Sequence, residues 1–451
     1  MFENVLGQPA AGQLIQDITA GLLAPAMLFS GPPASGKGTT ALELGRIISC
    51  EEGAEWNCGC SSCARYRRLL HPDLLCLGTR PFSAEIAASA ATFLRDLSAA
   101  PGNRNQASRL LYVRSIQKLL ARFNPILWED DPKAAKVSAL ANALEENLDE
   151  IDGSSGTGSN QRDSIVKLVD STLKSAFRLE SEGTSDTIPI AQLRRAASWA
   201  WLAPAGRRKL LLIENAERMQ EEARNSLLKL LEEPPARVSV VLTSSQPASM
   251  LPTVLSRLRP YRFGVRDAAI EHEVIRRVFR DEGASMRIGD YLDSFLPVSK
   301  ETLEAAAAFF AASAAYRAFL LSKKAGRPLA EEVVLLGKYA ASLAEAAGLG
   351  RPQGDMAQVI ALVLEKTEGF EIPSLFTRFL ERLSALVPQS LKAPGSKESG
   401  EASSFLPQVA YNELWRKCLN WAETAAKVYN LRTAHVMEKL FIDLGRGMAL
   451  L

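Results

Sequence analysis

The stretch Met27-Leu28-Phe29-Ser30-Gly31-Pro32-Pro33-Ala34-Ser35-Gly36-Lys37-Gly38-Thr39-Thr40 decides how this chain is read. A short apolar run enters a Gly/Pro loop, and a helix is expected to open at about Lys37. The spacing Gly31-x-x-x-x-Gly36-Lys37 is that of a phosphate-binding loop. Its glycines let backbone N–H groups turn inward, and Lys37 offers a point charge for β- and γ-phosphates. The helix adds its positive N-terminal end. Gly31, Pro32, Pro33, Ala34, Ser35, Gly36, Lys37, Gly38, Thr39 and Thr40 form the candidate nucleotide-binding set. One position departs from a hydrolysing site. The residue after the lysine should be Ser or Thr, whose hydroxyl holds Mg²⁺. Gly38 has no oxygen, and Thr39 points about 100° away around the helix. The loop reads as one that keeps its shape, with ATP and Mg²⁺ as open cofactors; a ligand-free Gly/Pro turn is the alternative.

Outward from this loop, strand and helix signals alternate. A helix is expected over about Ala11–Leu22, and another from the loop to about Ile48. Strands are expected at Leu74–Leu77, Lys209–Glu214 and Val238–Thr243, with a helix over Glu221–Glu232 stopped by Pro234-Pro235. Continuous apolar strands imply burial on both faces, hence a parallel sheet covered by helices. Between about residues 83 and 187 the apolar period is helical throughout, as at Val113, Ile116, Leu120 and Phe123. This block reads as a helical insertion without evident chemistry, interrupted by a flexible tract over Asp152–Asn160. Beyond about Val265 helices alone are expected, with a linker over Gln389–Ser404.

The 451 residues suffice for about two to four domains. Lys and Arg total 53 against 51 Asp and Glu, a net charge of +2, so no global field steers the chain to nucleic acid. No uninterrupted apolar run reaches the ~18 residues of a membrane span, and the N-terminus lacks the basic-then-apolar order of a signal peptide. A cytoplasmic protein is expected. In a reducing compartment the six cysteines read as metal ligands or core thiols.

Further chemistry is concentrated in a few places. In a nucleotide hydrolase the second acidic strand ends in Asp, which positions Mg²⁺, and a following Glu polarises water. Here the strand ends Ile213-Glu214-Asn215; Glu214 could reach a metal, but the Asn215 amide cannot act as a base. Cys50, Cys58, Cys60 and Cys63 suit a closed tetrahedral Zn²⁺ site, structural in kind, with unliganded thiols as the alternative. Cys76 and Cys418 read as core residues, and His71-Pro72-Asp73 as a loop-structuring turn. Arg257, in Leu255-Ser256-Arg257-Leu258, reads on its own as a solvated surface residue.

Taken together, Val5-Leu6-Gly7-Gln8, the phosphate loop, the cysteine cluster, His71-Pro72-Asp73, Asn225-Ser226-Leu227-Leu228-Lys229-Leu230-Leu231-Glu232-Glu233-Pro234-Pro235, Leu251-Pro252 and Leu255-Ser256-Arg257 resemble the bacterial clamp-loader subunits of DNA polymerase III, an AAA+ family. The altered Gly38 and Glu214-Asn215 point within that family to the delta-prime type over the gamma/tau motors. The resemblance implies an α/β AAA+ P-loop domain over 1–265, with a zinc module at 50–63 and the insertion at about 83–187. It implies a small all-α lid over 266–325 and an all-α collar over 326–451. It further implies gamma/tau and delta subunits as partners, with the sliding clamp and primed DNA met through the assembled complex and no membrane. Arg257 would serve as an arginine finger on a neighbour's ATP site, and Ser244 and Ser245 would lie near the first sensor position. Two rivals remain: an active gamma/tau-type ATPase, and a non-enzymatic zinc-stabilised adaptor.

Overall fold

Successive residues of a buried strand face opposite sides of its sheet, so a run apolar at every position needs cover on both. The computed structural model has this arrangement. It describes the 451 residues apart from 100–102, 154–158, 184–186, 371, 393–404 and 428–430. The chain divides into two units, Met1–Phe295 and Leu296–Leu451.

In the first unit, α1 (Pro9–Thr19), β1 (Ala26–Ser30), α2 (Lys37–Ser49), α3 (Ser61–Arg67) and β2 (Leu74–Gly78) come first. The helices α4 (Ser83–Ala99), α5 (Asn103–Leu120), α6 (Pro125–Trp128), α7 (Ala134–Gly153), α8 (Ser159–Gly183) and α9 (Ile190–Trp201) follow. Then come β3 (Lys209–Glu214), α10 (Glu221–Glu232), β4 (Val238–Ser244), α11 (Pro252–Leu255), β5 (Arg259–Arg262), α12 (Ala268–Phe279) and α13 (Ile288–Asp293). The five strands order as β2-β3-β4-β1-β5, every neighbouring pair parallel.

Leu28, Leu75, Leu77, Leu211, Ile213, Val240 and Leu242 face one core, shared with the helical block and α10. Met27, Phe29, Leu74, Cys76, Leu210, Leu212 and Val241 face the other, shared with α1, α2 and the cysteine segment. Strand β5 was not anticipated. It reads Arg-Pro-Tyr-Arg and buries Tyr261 alone, because an edge strand needs no continuous apolar run and tolerates Pro260.

The second unit contains α14 (Lys300–Ala325), α15 (Glu331–Ala346), α16 (Met356–Lys366), α17 (Pro373–Lys392), α18 (Phe405–Lys427) and α19 (Thr433–Met448). By length and composition α14 could cross a membrane, yet 67% of its most apolar window is buried inside this unit, as suits a central bundle helix. The unit boundary separates α12 and α13 from α14, all three of which fall within the lid expected over 266–325. The linker expected from Gln389 is helical through Lys392; residues 393–404, like 154–158 of the expected flexible tract, lie outside the described residues.

The loop after β1 is pressed closely against the chain after β5. Gly31 has φ +154°, and a Cβ there would stand 2.2 Å from the Phe263 carbonyl oxygen. Gly31→Ala is therefore expected to lower unfolding stability by about 1–3 kcal/mol in urea titrations. An unchanged midpoint would mean that β1 and the chain after β5 are not held as closely as described.

Candidate functional site

The phosphate loop is fixed at both shoulders by the sheet. Gly31 N–H donates to the Ser244 carbonyl at 3.1 Å, and Phe263 N–H donates to the Ser30 carbonyl at 2.7 Å. Ala34 and Gly36 adopt left-handed φ values of 58° and 93°. Lys37 Nζ donates to the Gly31 and Pro32 carbonyls at 2.6 and 2.7 Å and lies 3.4 Å from Ser35 Oγ. Burial brings Lys37 down to about 8, against the opposing pull of Glu217 and Glu214. The buried Arg266 guanidinium donates to the Leu6 and Ala34 carbonyls at 2.9 and 2.8 Å. It lies so close over the loop that a Cβ on Gly36 would stand 2.6 Å from its Nη2. Thr40 donates its hydroxyl to the Gly36 carbonyl at 2.9 Å; Pro33 and Thr39 are exposed.

The place of the metal is different. Glu214 ends β3 with 5% exposure, its Oε2 paired with Arg122 and its Oε1 3.4 Å from Arg80. A Cβ on Gly38 would stand 2.5 Å from Glu214 Oε1 and 3.2 Å from Arg80 Nη1. The space a Ser or Thr side chain would take is already filled, and the carboxylate that would face a metal is spent on two guanidiniums. Mg²⁺ does not fit this donor set. Asn215 takes a left-handed conformation with φ 55°, which Asn tolerates better than most side chains. Its N–H donates to Thr243 Oγ1 at 3.3 Å and its amide to Thr79 Oγ1 at 3.5 Å. Ser244 is buried, with its hydroxyl accepting from Gln246 N–H at 3.1 Å, while Ser245 donates to Glu217 at 2.8 Å.

The helical block, silent in sequence, supplies much of this arrangement. Arg122 follows α5, and Arg80 lies in the β2–α4 connection. Glu180 of α8 accepts N–H groups of Phe82 and Ser83 at the start of α4. The Phe82 ring lies 5.0 Å from the Arg80 guanidinium carbon and 5.4 Å from that of Arg122. Arg80 also pairs with Glu85 at 2.5 Å, and Glu85 with Lys118. Burial disfavours the Glu85 carboxylate, but the charges and hydrogen bonds of Lys118 and Arg80 outweigh it and hold the group at about 2. Arg80, Arg122, Glu85, Lys118 and Arg266 were all missed in the sequence, where an isolated charge carries no signal of its distant partner.

Cys50, Cys58, Cys60 and Cys63 are buried, and their sulfurs lie within 4.8 Å of one another. Cys50 Sγ is 3.6 Å from Cys58 Sγ and 3.9 Å from Cys60 Sγ. Tetrahedral Zn²⁺ with ~2.3 Å bonds needs sulfurs roughly 3.8 Å apart, so the set can hold zinc. The surroundings divide the four sulfurs: burial pushes the Cys63 thiol up against the pull of Arg46, while backbone donors gather at Cys50. Glu52 and Ala54 N–H groups donate to Cys50 Sγ at 3.4 and 3.3 Å, and Arg46 donates to Cys63 Sγ at 3.2 Å. Burial works against a Cys60 thiolate, but backbone hydrogen bonds at Cys63 and Glu51 bring its thiol down to about 7.

His71 structures its turn: Nδ1 accepts from Asp73 N–H at 3.1 Å, Nε2 meets Ser62 Oγ at 3.1 Å, and the ring stacks on Tyr66. Arg257 lies at the α11 corner beside exposed Ser256, its Nε 2.9 Å from Glu232 Oε1 and its Nη1 2.6 Å from the Thr253 carbonyl.

The family model described as DNA polymerase III, delta subunit matches residues 7–124 and 128–266. The match runs through most of the helical block that the sequence reading had set apart as an insertion. The delta-prime subunit of DNA polymerase III from Pseudomonas aeruginosa is 38% identical over 109 residues, 24% of this chain and 33% of that protein. The delta-prime subunit from Bacillus subtilis is 38% identical over 73 residues, 15% and 22% of the two chains. The gamma/tau subunit from Mycobacterium tuberculosis is 23% identical over 163 residues, 36% and 28%. The chain thus spans a third or less of these relatives' lengths in the matched stretches.

The Glu85 contacts carry a pH dependence. A carboxyl held at about 2 in the fold against an ordinary value of ~4.5 stabilises the fold above pH ~4.5, by about 3 kcal/mol, and that stability is lost as pH falls towards 2. Glu85→Gln is expected to lower stability at neutral pH and to flatten the acid limb of unfolding measured in urea between pH 2 and 7. An unchanged acid limb would mean that Glu85 is not ion-paired.

Proposed function

Because the chain belongs to the DNA polymerase III delta-subunit family, of the clamp-loader delta-prime and gamma/tau type, we propose that it is a delta-prime-like subunit. In this reading it supports ATP-driven loading of the sliding clamp on primed DNA while its neighbours hydrolyse the ATP. The observation that carries it is the Glu214 carboxylate, closed between Arg80 and Arg122 and pressed against Gly38. A site with no metal ligand at residue 38, no free carboxylate at 214 and an amide at 215 lacks the groups that hold Mg²⁺ and activate water in a nucleotide hydrolase. The gamma/tau rival shares the loop but needs these same groups for hydrolysis.

The remaining parts take supporting roles. Arg257, at a surface corner, would act in trans on the ATP site of a neighbouring gamma/tau subunit. Zn²⁺ on Cys50, Cys58, Cys60 and Cys63 would be structural, since four thiolates leave no open position. The helices after β5 would form the lid and then the collar, through which gamma/tau and delta subunits join in a cytoplasmic complex.

Reconstitution tests this reading. With gamma/tau and delta subunits, the Arg257→Ala chain is expected to assemble normally but to lower clamp- and DNA-stimulated ATPase. A finger is worth about 10³–10⁵ in rate at its own site, diluted by the other sites of the ring. The isolated chain should show no magnesium-dependent turnover; turnover abolished by Lys37→Ala would favour the gamma/tau rival. Metal analysis should find about one zinc per chain, lost in a Cys60→Ser, Cys63→Ser double variant. Zinc retained by that variant would rule out the four-cysteine site.

A further inference from the structure

Five cations crowd the phosphate loop and the end of β3: Lys37, Arg266, Arg80, Arg122 and Lys118. Glu214 and Glu85 pair with the last three. Lys37 and Arg266 bond only to carbonyl and hydroxyl oxygens, and among the described residues neither has a carboxylate within ion-pair distance. Glu217 acts on Lys37 from farther off and accepts from Ser245. Glu271 acts on Arg266 from farther off and is paired with Arg287 at 2.8 Å. Buried charge without counter-charge is unfavourable. Arg266 is buried and Lys37 half-buried, and the nearby carboxylates offset them only from a distance, so an anion placed between them would be favoured.

In a metal-dependent site part of that positive charge comes from Mg²⁺. Here the Arg80 guanidinium lies 3.2 Å from where a side chain on residue 38 would begin, held there by Glu214 and Glu85. We propose that Arg80 stands in for the divalent cation, so that the loop takes a chain of phosphates free of metal. Lys37 and Arg266 would bind phosphate oxygens from the loop side and Arg80 from the side of β3. Gly38 is part of the same device, because a Cβ there would press on the Glu214 carboxylate and require it to shift within its two ion pairs. The proposal rests on the reading that this site has lost its own hydrolysis, but it concerns binding, which is measured without turnover.

The test titrates the full chain by calorimetry with ATP, and separately with inorganic tripolyphosphate, in excess EDTA and in excess MgCl₂. Binding in EDTA at least as tight as in MgCl₂ is expected, with ATP tighter than tripolyphosphate if the nucleoside is also held and equal to it if phosphates alone are recognised. Arg80→Ser should weaken binding in EDTA by about tenfold or more, the worth of one charge-assisted hydrogen bond, while Arg80→Lys retains most of it. Binding that requires Mg²⁺, no binding in either buffer, or an Arg80→Ser variant that binds as well as the parent in EDTA would each overturn the proposal. Should Arg80→Ser fail to fold, judged by circular dichroism, the comparison of the two buffers on the unaltered chain still decides. None of these outcomes bears on whether the isolated chain turns over ATP, so the delta-prime-like reading stands or falls separately.

Discussion

A carboxylate buried at the end of a central strand has to be compensated, and Glu214 is compensated twice. Its two guanidinium partners come from places far apart in the chain, Arg80 just after β2 and Arg122 just after α5. Removing one partner of a buried pair typically costs about 3–5 kcal/mol, because the remaining charge stays desolvated. That penalty ties the helical block to the sheet at one point. The backbone accommodates the tie at Gly78, whose φ is +138° and where a Cβ would meet the Glu214 carbonyl at 2.2 Å and Arg122 Nη1 at 2.6 Å. A glycine on β2, a glycine on α2 and a carboxylate on β3 are thus one steric and electrostatic unit.

Helix α2 joins that unit to the cysteine centre. Lys37 opens it under the phosphate loop, and Cys50 closes it. Near its end Arg46, 2% exposed, binds Glu43, the Ala54 and Glu55 carbonyls and Cys63 Sγ. Thirteen helical residues rise about 20 Å, so the two sites are remote in space but share a rigid element. A metal on the cysteines could act on the loop through the placement of this helix.

The parallel sheet was legible because four of its strands are apolar on both faces, and the phosphate loop because its glycines and lysine sit at fixed spacing. The cysteines were legible for the same reason: their partners are close in sequence. Strand β5 was not, since an edge position removes the burial that makes a strand readable. The ion pairs were not either. Arg122 and Glu214 are 92 residues apart, and Arg80 and Glu214 are 134. No periodicity links them, and each alone looks like a solvated charge. Gly38 was read as a missing hydroxyl. In the fold it also faces the Glu214 carboxylate, a neighbour that its place in the sequence does not reveal.

The contrast between Glu214 and Glu232 separates the two halves of the functional reading. Both carboxylates bind arginine, but Glu214 does so with 5% exposure, while Glu232 and Arg257 have side-chain exposures of 48% and 32%. A pair in that much water is worth about 0–1 kcal/mol. Such a contact orients a guanidinium along the α10–α11 corner without committing it. A denser array of negative charge, such as the phosphates of a nucleotide on an adjoining subunit, would outbid Glu232 at little cost. The buried pairs have no such freedom: freeing Glu214 for a metal would break them and leave its charge buried without a partner. One arginine contact is cheap to exchange and the other is not. That difference is what the proposed role needs: a fixed carboxylate beside the loop and an exchangeable arginine at the surface.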